Sequence, residues 1–441
     1  MKETRFKDTE IGRIPEDWEV FSVGNDCVTK ARIGWQGLTT AEYLPNGNFG
    51  LITSTDIVDG KVNWETCVFV SEERYKQDVN IIVKNSDILV SKDGTIGKVA
   101  IVSNIPYPTT LNSGVFVIRT KNDDISQEGL GLAFKSPYFM DFIKRLTAGS
   151  TIVHLYQKDI VKFKFPMPTK QEQHHISSAL TSLDNLISSL DKLIEKKKNI
   201  KQGAMQQLLT GKKRLKGFTE PWVERKLGDY AVIQRGGSPR PIEAYLTNRQ
   251  DGVNWIKIGD VRPNDKYIKH TEEKIIKEGV IHSRPVHKGD FILSNSMSFG
   301  RPYILDIDGC IHDGWLVIKD YGECFDMNFL YYVLSSEMVF KQYASMAAGS
   351  SVKNLNKEKV ENVLLCTPLS LAEQKSIASI LTRVDNEITA LEAKKAKYEK
   401  IKQGMMQQLL TGKIRLIETL HKEKNYCIPE SEATCVLAAE P

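Results

Sequence analysis

Apolar residues follow two different spacing patterns along this chain of 441 residues. In two stretches they are spaced alternately by four and three positions, which is typical of the narrow seam of a coiled-coil helix. Elsewhere they form short runs bounded by Gly, Asp, Asn and Pro, as in GDFILSNS and GWLVIKD, which predict strands. The predicted seam residues are Ile176, Leu180, Leu183, Ile187, Leu190 and Ile194 in the first stretch, and Ile377, Leu381, Val384, Ile388 and Leu391 in the second.

The two seam segments are copies of one another. Residues 172–215 and 373–416 align without a gap at an offset of 201, and 25 of the 44 positions are identical. Thr169 and Ser370 each stand three residues before a glutamate, the signature of a helix-capping box. We therefore predict two helices of about 40 residues, each about 60 Å long.

The blocks that precede the helices are also repeated, although more weakly. DILVS at 87–91 corresponds to DFILS at 290–294, and both blocks lack the strand–helix alternation of a parallel doubly wound sheet. We predict an α+β fold class. The chain divides into a first domain, a central helix, a second domain, a C-terminal helix and an acidic, loosely ordered tail, which are residues 1–168, 169–216, 217–369, 370–416 and 417–441.

Charge follows the same division. The net charge is +5 in total, and it is −1 in each domain, +6 and +4 in the two helices and −3 in the tail. The sequence contains no run of 18 apolar residues, so it predicts no membrane span. The charged N-terminus lacks the apolar core of an export signal. Seven cysteines without a Cys-x-x-Cys pair favour a reducing compartment, so we expect a cytoplasmic protein without a membrane partner.

Each sequence motif that could indicate catalysis is incomplete or missing in this chain. DGTIGKV at 93–99 resembles a phosphate loop, but it lacks the required spacing and the hydroxyl residue after lysine. No Asn-Pro-Pro-Tyr or Asp-Pro-Pro-Tyr motif for adenine methylation and no Pro-Asp dipeptide of a nuclease triad occurs. His174 and His175 are adjacent on a predicted helix and face different ways. We therefore predict no catalytic residue, no metal ligand and no cofactor on this chain.

Polar loops punctuated by glycine occur at equivalent places in both domains. Their side chains include the donors and acceptors that read base edges, with aromatic residues nearby, although the near-zero charge of both domains is unusual for nucleic-acid binding. The candidate DNA-binding residues of the first domain are Lys30, Arg32, Trp35, Gln36, Ser91, Lys92, Lys98, Ser150 and Thr151. Those of the second domain are Arg235, Arg240, Ser294, Asn295, Arg301, Ser350, Lys353 and Asn354.

Residues 1–416 resemble the specificity subunit of type I restriction–modification systems. The resemblance rests on IGRIPEDWEV at 11–20, on the Pro-x3-Glu-Gln entry into the first helix and its longer counterpart in the second, and on the paired KQG-x-MQQLLTGK-x-RL motifs. It implies two pseudo-symmetric target-recognition domains, joined and separated by two long antiparallel coiled-coil helices. Each domain would read one half of a bipartite double-stranded DNA target whose halves are separated by a spacer.

The resemblance also implies the partners. Two modification (methyltransferase) subunits would dock on the helices, and ATP-dependent restriction subunits would complete the complex. S-adenosylmethionine, ATP and magnesium would then be bound by those partners, which would also carry out adenine methylation and DNA cleavage. Two alternatives remain open: a nuclease or methyltransferase that acts alone through an unrecognised motif, and a scaffold built on the coiled coil that does not bind DNA.

Overall fold

The computed structural model describes residues 4–148, 154–262, 265–295, 300–347 and 355–417. Contacts group the chain into two compact units. Unit 1 consists of Met1–Ser188 with Ala396–Pro441, and unit 2 is Ser189–Lys395. Within the described ranges, no helix has the length and apolar character that crossing a membrane requires.

Unit 1 is an α+β domain with mostly antiparallel sheets. Its main sheet has four antiparallel strands in the order Val99–Ile101, Ile88–Ser91, Val115–Thr120 and Cys27–Lys30. A second sheet orders Thr109–Leu111, Phe49–Ile52 and Val68–Val70, of which the first two are parallel. Three two-stranded ribbons pair Phe6–Thr9 with Gly12–Pro15, Ile57–Val58 with Lys61–Val62, and Glu19–Ser22 with Lys164–Met167.

The helices of unit 1 pack against its sheets, and several of them cover one face of the main sheet. They are α1 Val23–Asp26, α2 Glu72–Lys76, α3 Gln127–Lys135, α4 Pro137–Thr147, α5 Gln157–Ile160 and the first half of the long α6, Lys170–Leu208. Ile88, Val90 and Phe116 project from the sheet into a buried cluster with Phe134 and Phe139 of the helices. The alternate sheet residues Leu89 and Val117 pack in a second cluster on the opposite face. Both faces of the main sheet are therefore buried, which explains why its strands read as continuous apolar runs.

Unit 2 repeats this architecture. Its main sheet orders Val232–Arg235, Trp315–Lys319, Phe291–Ser294, Pro302–Leu305 and Tyr267–Ile268. Its second sheet orders Glu273–Ile275, Val253–Ile256, Gly309–Ile311 and Arg284–Val286, and a ribbon pairs Trp222–Lys226 with Leu364–Pro368. Its helices are α7 Met327–Leu334, α8 Glu337–Ala347, α9 Lys357–Glu361, the second half of α6 and most of α10, Leu371–Leu409. The predicted α+β class is confirmed in both units.

The two long helices run antiparallel within each unit. In unit 2, two ion pairs of 2.6 Å join the helices, Lys197–Glu387 and Lys201–Asp385. From the first pair to the second, the residue number rises along α6 and falls along α10, as expected for antiparallel helices. In unit 1, Asp184 of α6 pairs with Lys402 of α10. An offset of 201 turns the Asp184–Lys402 pair into Asp385–Lys201, so the repeat in sequence is also a repeat in contacts.

Every residue of the predicted seam is buried or half-buried. Ile176 and Leu180 pack on Leu409 and Leu410 in unit 1, whereas Leu381 lies in the main core of unit 2. The fully buried seam residues are Ile176, Leu180, Leu190, Ile194, Ile377, Leu381 and Ile388, and the half-buried ones are Leu183, Ile187, Val384 and Leu391. The boundaries of the five predicted segments stay a prediction, since compact units and chain segments need not coincide.

A Glu-Gln pair fastens the start of each long helix to its own unit. The Gln173 side chain accepts from the Ser126 backbone N–H at 2.8 Å and donates to the carbonyls of Asp124 and Pro168, both at 2.8 Å. Gln374 makes the equivalent three hydrogen bonds in unit 2. The N-terminal half of the expected capping box forms, with the Glu172 N–H 3.5 Å from the Thr169 hydroxyl.

The glutamate of that pair does not close the capping box. Glu172 is 1% exposed, and its carboxylate instead binds Arg415 at 2.7 and 2.8 Å and Trp18 at 3.2 Å. In unit 2, Glu373 binds Arg214 at 2.7 and 2.8 Å. The arginine of the terminal Lys-x-Arg-Leu motif is therefore an ion-pair partner inside each unit.

Candidate nucleic-acid interface

Three loops meet at one end of the main sheet in unit 1. The Lys92 N–H donates to the Gly114 carbonyl at 2.8 Å, and the Leu155 N–H donates to the Lys92 carbonyl at 3.0 Å. The buried hydroxyl of Ser91 accepts from the Lys98 N–H at 2.9 Å and donates to the Thr95 carbonyl at 2.7 Å. These bonds hold loop 91–98, loop 112–114 and the start of segment 154–158 together, so three distant parts of the chain present one surface.

That surface carries a compact mixture of polar and aromatic side chains. His154 Nδ1 contacts the Asp93 carboxylate, and its ring lies 4.5 Å from the ring of Tyr156. Tyr156 is 54% exposed, and the Lys158 amine lies 5.4 Å from its ring centre. Exposed Lys30 ends the adjacent edge strand. Stacking, hydrogen bonding and phosphate neutralisation are thus all available on one surface.

The same arrangement of three loops, which we call the loop frame, is held together in unit 2 by the same backbone hydrogen bonds. The Asn295 N–H donates to the Gly314 carbonyl at 3.1 Å, and the Leu355 N–H donates to the Asn295 carbonyl at 3.0 Å. The Gly300 N–H donates to the Ser294 carbonyl at 2.9 Å, as the Gly97 N–H does to the Ser91 carbonyl in unit 1. Both glycines have positive φ, +74° and +75°, which a side chain rarely tolerates.

The side chains on the frame of unit 2 are different from those of unit 1. Asp313 lies at the centre, with its carboxylate 2.9 Å from the Ser238 hydroxyl and 2.9 Å from His312 Nε2. Arg235 donates from Nε to the Asp313 carbonyl at 3.2 Å, and Arg240, whose side chain is 82% exposed, lies 3.6 Å from the carboxylate. This surface is richer in arginine than that of unit 1.

The structure separates the predicted DNA-binding residues into three groups. The exposed ones are Lys30, Arg235 and Arg240, and the half-buried ones are Lys92, Lys98 and Arg301. The buried ones are Arg32, Gln36, Ser91, Ser294 and Asn295. Ser150, Thr151, Ser350, Lys353 and Asn354, together with the side chain of Trp35, lie outside the described residues. DNA contact by the first two groups stays a prediction.

Arg32 is removed from the candidate set. It is 2% exposed, and its guanidinium donates to the Leu111 carbonyl at 2.9 Å, the Thr110 hydroxyl at 3.2 Å and Gln77 Oε1 at 3.1 Å. Burial lowers the pKa of this guanidinium, as expected for a charge removed from water. Its hydrogen bonds instead join the second sheet to the segment around α2.

Buried Ser91, Ser294, Asn295 and Gln36 are also unsuited to direct contact. Ser91 and Ser294 are fully buried, and their hydroxyls accept hydrogen bonds from the backbone of their own loops. The Asn295 side chain donates to the Asp313 carbonyl at 2.9 Å. Gln36 is 7% exposed. The serine and asparagine side chains therefore position the loops on which other residues are displayed.

Five surface residues were missed by the prediction. They are Asp93, His154, Ser238, His312 and Asp313, and all of them lie on the two frames. Asp93, His154 and Ser238 fall inside polar loops that the sequence singled out, at 91–98, 148–158 and 234–245. No pattern in the sequence marks His312 or Asp313, and Asp313 gains its partner Ser238 from 75 positions earlier in the chain.

Comparisons with known proteins agree with this architecture. A family model described as "Type I restriction modification DNA specificity domain" matches the chain twice, over residues 15–202 and 219–403. The MjaX and MjaVIII type I restriction enzyme specificity subunits of Methanocaldococcus jannaschii are 28% and 27% identical to this chain. The alignments cover 94% of this chain in both cases, and 98% and 97% of those relatives.

More distant similarities extend to another organism and to solved structures. The EcoKI specificity subunit of Escherichia coli K12 is 23% identical over 60% of this chain and 59% of its own length. A chain from a solved type I R-M system superposes with a TM-score of 0.57 at 16% identity, covering 91% of this chain and 99% of its own. The S subunit from M. genitalium gives a TM-score of 0.56 at 16% identity, covering 89% and 96%. These two structures support the fold.

Two copies of one α+β domain, each packed on its own halves of two long helices, define the class of duplicated DNA-specificity proteins. The family model covers most of the chain, once in each repeat. This chain belongs to the type I restriction modification DNA specificity domain family.

Proposed function

We propose that this chain is the sequence-specificity subunit of a type I restriction–modification complex and that it catalyses no reaction itself. Each unit would recognise one half of a bipartite double-stranded DNA target whose halves are separated by a spacer. The paired helices would dock two modification subunits, and restriction subunits would complete the assembly. We also propose that the complex acts in the cytoplasm.

One observation carries this proposal: the same loop frame is built twice and carries different side chains. The backbone bonds at Lys92 and Gly114 correspond to those at Asn295 and Gly314. On these equal frames, unit 1 displays His154 and Tyr156, whereas unit 2 displays arginines around Asp313. A fixed frame with variable displayed residues suits two readers of different half-sites, because direct readout depends on the side chains that reach base edges.

The proposed division of labour assigns the chemistry to partners. S-adenosylmethionine would be bound by the modification subunits, and ATP and magnesium by the restriction subunits. In support, no motif for methyl transfer or nucleotide binding survives inspection of this sequence. The near-neutral charge of both domains agrees with this division, since partner subunits would supply much of the phosphate neutralisation.

The test compares the purified chain with the chain reconstituted with its modification subunits. Each sample receives DNA and S-adenosylmethionine, with and without ATP and magnesium, and methylated adenines are mapped by sequencing. The proposal predicts no methylation or cleavage by the chain alone and methylation at one defined bipartite sequence by the complex. Turnover by the chain alone would support an enzyme that acts by itself, and failure of the complex to bind DNA would support a scaffold.

A further inference from the structure

Asp313 in unit 2 is a carboxylate fixed at the centre of a displayed surface. Its Oδ1 accepts from the Ser238 hydroxyl at 2.9 Å and lies 2.9 Å from His312 Nε2. The Gly314 N–H donates to His312 Nδ1 at 2.9 Å, which leaves His312 Nε2 to donate to Asp313. Two donors therefore hold Oδ1 of the carboxylate.

The second oxygen is held far less tightly. Among the described residues, the neighbour of Oδ2 is Arg240, whose guanidinium lies 3.6 Å away, which exceeds hydrogen-bond distance. The Arg240 side chain is 82% exposed and that of Asp313 is 30% exposed. Oδ2 thus keeps lone pairs for an external donor on a side chain that is part exposed.

The charge state of Asp313 suits an acceptor. Partial burial opposes ionisation, but the hydrogen bond from Ser238 and the electrostatic effect of His312, Arg235 and Arg240 together hold the pKa of Asp313 below its ordinary value. An ionised carboxylate repels phosphate oxygens and accepts hydrogen bonds from amino groups. In the major groove, the amino groups on base edges are cytosine N4 and adenine N6.

We infer that Asp313 is a specificity-determining residue whose Oδ2 accepts a hydrogen bond from the exocyclic amino group of one base in the half-site read by unit 2. This inference rests on the proposed function. Ser238 and His312 act as positioning residues, because they hold the carboxylate without contacting the base. Arg235 and Arg240, which lie beside Asp313, would neutralise flanking phosphates.

The test uses the complex with its modification subunits and synthetic duplexes that contain its mapped target. In each duplex, one cytosine is replaced by 2-pyrimidinone or one adenine by purine, bases that lack the exocyclic amino group. Binding by the wild-type complex is expected to weaken by roughly 5- to 100-fold at one position of one half-site. At that position the Asp313→Asn complex should lose less than about twofold, because the interaction that the analogue removes is already disrupted.

Two further variants make the result decisive. Asp229→Asn removes an equal charge from an exposed residue of unit 2 that is not on the frame, and it should respond to the analogues like wild type. Ser238→Ala should reduce the sensitivity partially, because it frees one side of the carboxylate. The sensitive position identifies the base as cytosine or adenine.

The failures are distinguishable. If the wild-type complex shows no sequence-specific binding, the proposed function itself fails. If it binds specifically but no single amino-group deletion weakens it, or if Asp313→Asn remains as sensitive as wild type, the assignment of Asp313 is wrong. Because the analogues are tested on the wild-type complex, poor folding of a variant does not decide the outcome.

Discussion

The ion pair between Glu172 and Arg415 supplies the most quantitative prediction. Glu172 is 1% exposed and the Arg415 side chain is 9% exposed, and two hydrogen bonds of 2.7 and 2.8 Å join them. Replacing Arg415 with leucine leaves a buried carboxylate with Trp18 and the Leu416 N–H as its donors, at 3.2 Å each. Removing one partner of a buried pair typically costs about 3–5 kcal/mol.

That free energy should be visible by calorimetry. In a unit of this size, each kcal/mol shifts Tm by about 2–4 °C, so Arg415→Leu should lower the Tm of unit 1 by about 6–20 °C. The double variant Glu172→Gln/Arg415→Leu should recover at least half of the loss, because the buried charge is removed as well. The repeat supplies a second case, because Arg214→Leu leaves the buried carboxylate of Glu373 without its arginine partner.

An exposed pair in the same unit provides the control. Lys164 and Glu10 are 43% and 58% exposed, and Lys164→Ala should cost less than about 1 kcal/mol. A loss below about 1 kcal/mol in Arg415→Leu would show that the pair is not buried as described. An unrescued double variant would show that packing of the arginine stem, rather than charge pairing, stabilises the helix entry.

Further predictions concern pH, the core and DNA binding. Hydrogen bonds from Arg415 lower the pKa of Asp17 from its ordinary 3.8, so its stabilising contribution is complete above about pH 4 and is lost as the pH falls through the lowered value. The stability difference between wild type and Asp17→Asn in denaturant titrations should therefore be seen at pH 6 and shrink steadily as the pH falls below about 4. Arg32→Met should cost about 3 kcal/mol in unfolding free energy but leave the recognised sequence unchanged, since its hydrogen bonds are internal; a changed sequence in methylation mapping would return it to the reading surface. Lys30→Ala should reduce the salt dependence of DNA binding by about one ion without altering the sequence, and an unchanged slope would exclude a phosphate contact.

The long helices could be predicted because their signals are local. A strict alternation of four and three residues specifies one seam, and the gapless repeat identifies two equal helices. The predicted entry at Thr169 is one residue from the observed start at Lys170, and Gly211 adopts the left-handed φ of +69° expected after a helix. The α+β class followed from short apolar runs for the same reason.

The displayed surface was less predictable because it depends on contacts between distant residues. Arg32 looks like any loop arginine until the fold brings Thr110 and Gln77 to its guanidinium. Asp313 gains its fixed carboxylate from Ser238, 75 positions earlier in the chain. The sequence located the loops, since glycines and small polar residues mark turns, but it could not tell which side chains point inward.

The central claim is that each domain reads its own half of the target. It is tested most directly by replacing residues 1–168 with the corresponding domain of a relative that recognises a different sequence, and by mapping methylated adenines in cells that express the chimera with its modification subunits. We expect a new bipartite target in which one half is changed and the half read by unit 2 is retained. A chimera that is active but changes both halves together would contradict it, because the two domains would then form one composite reader.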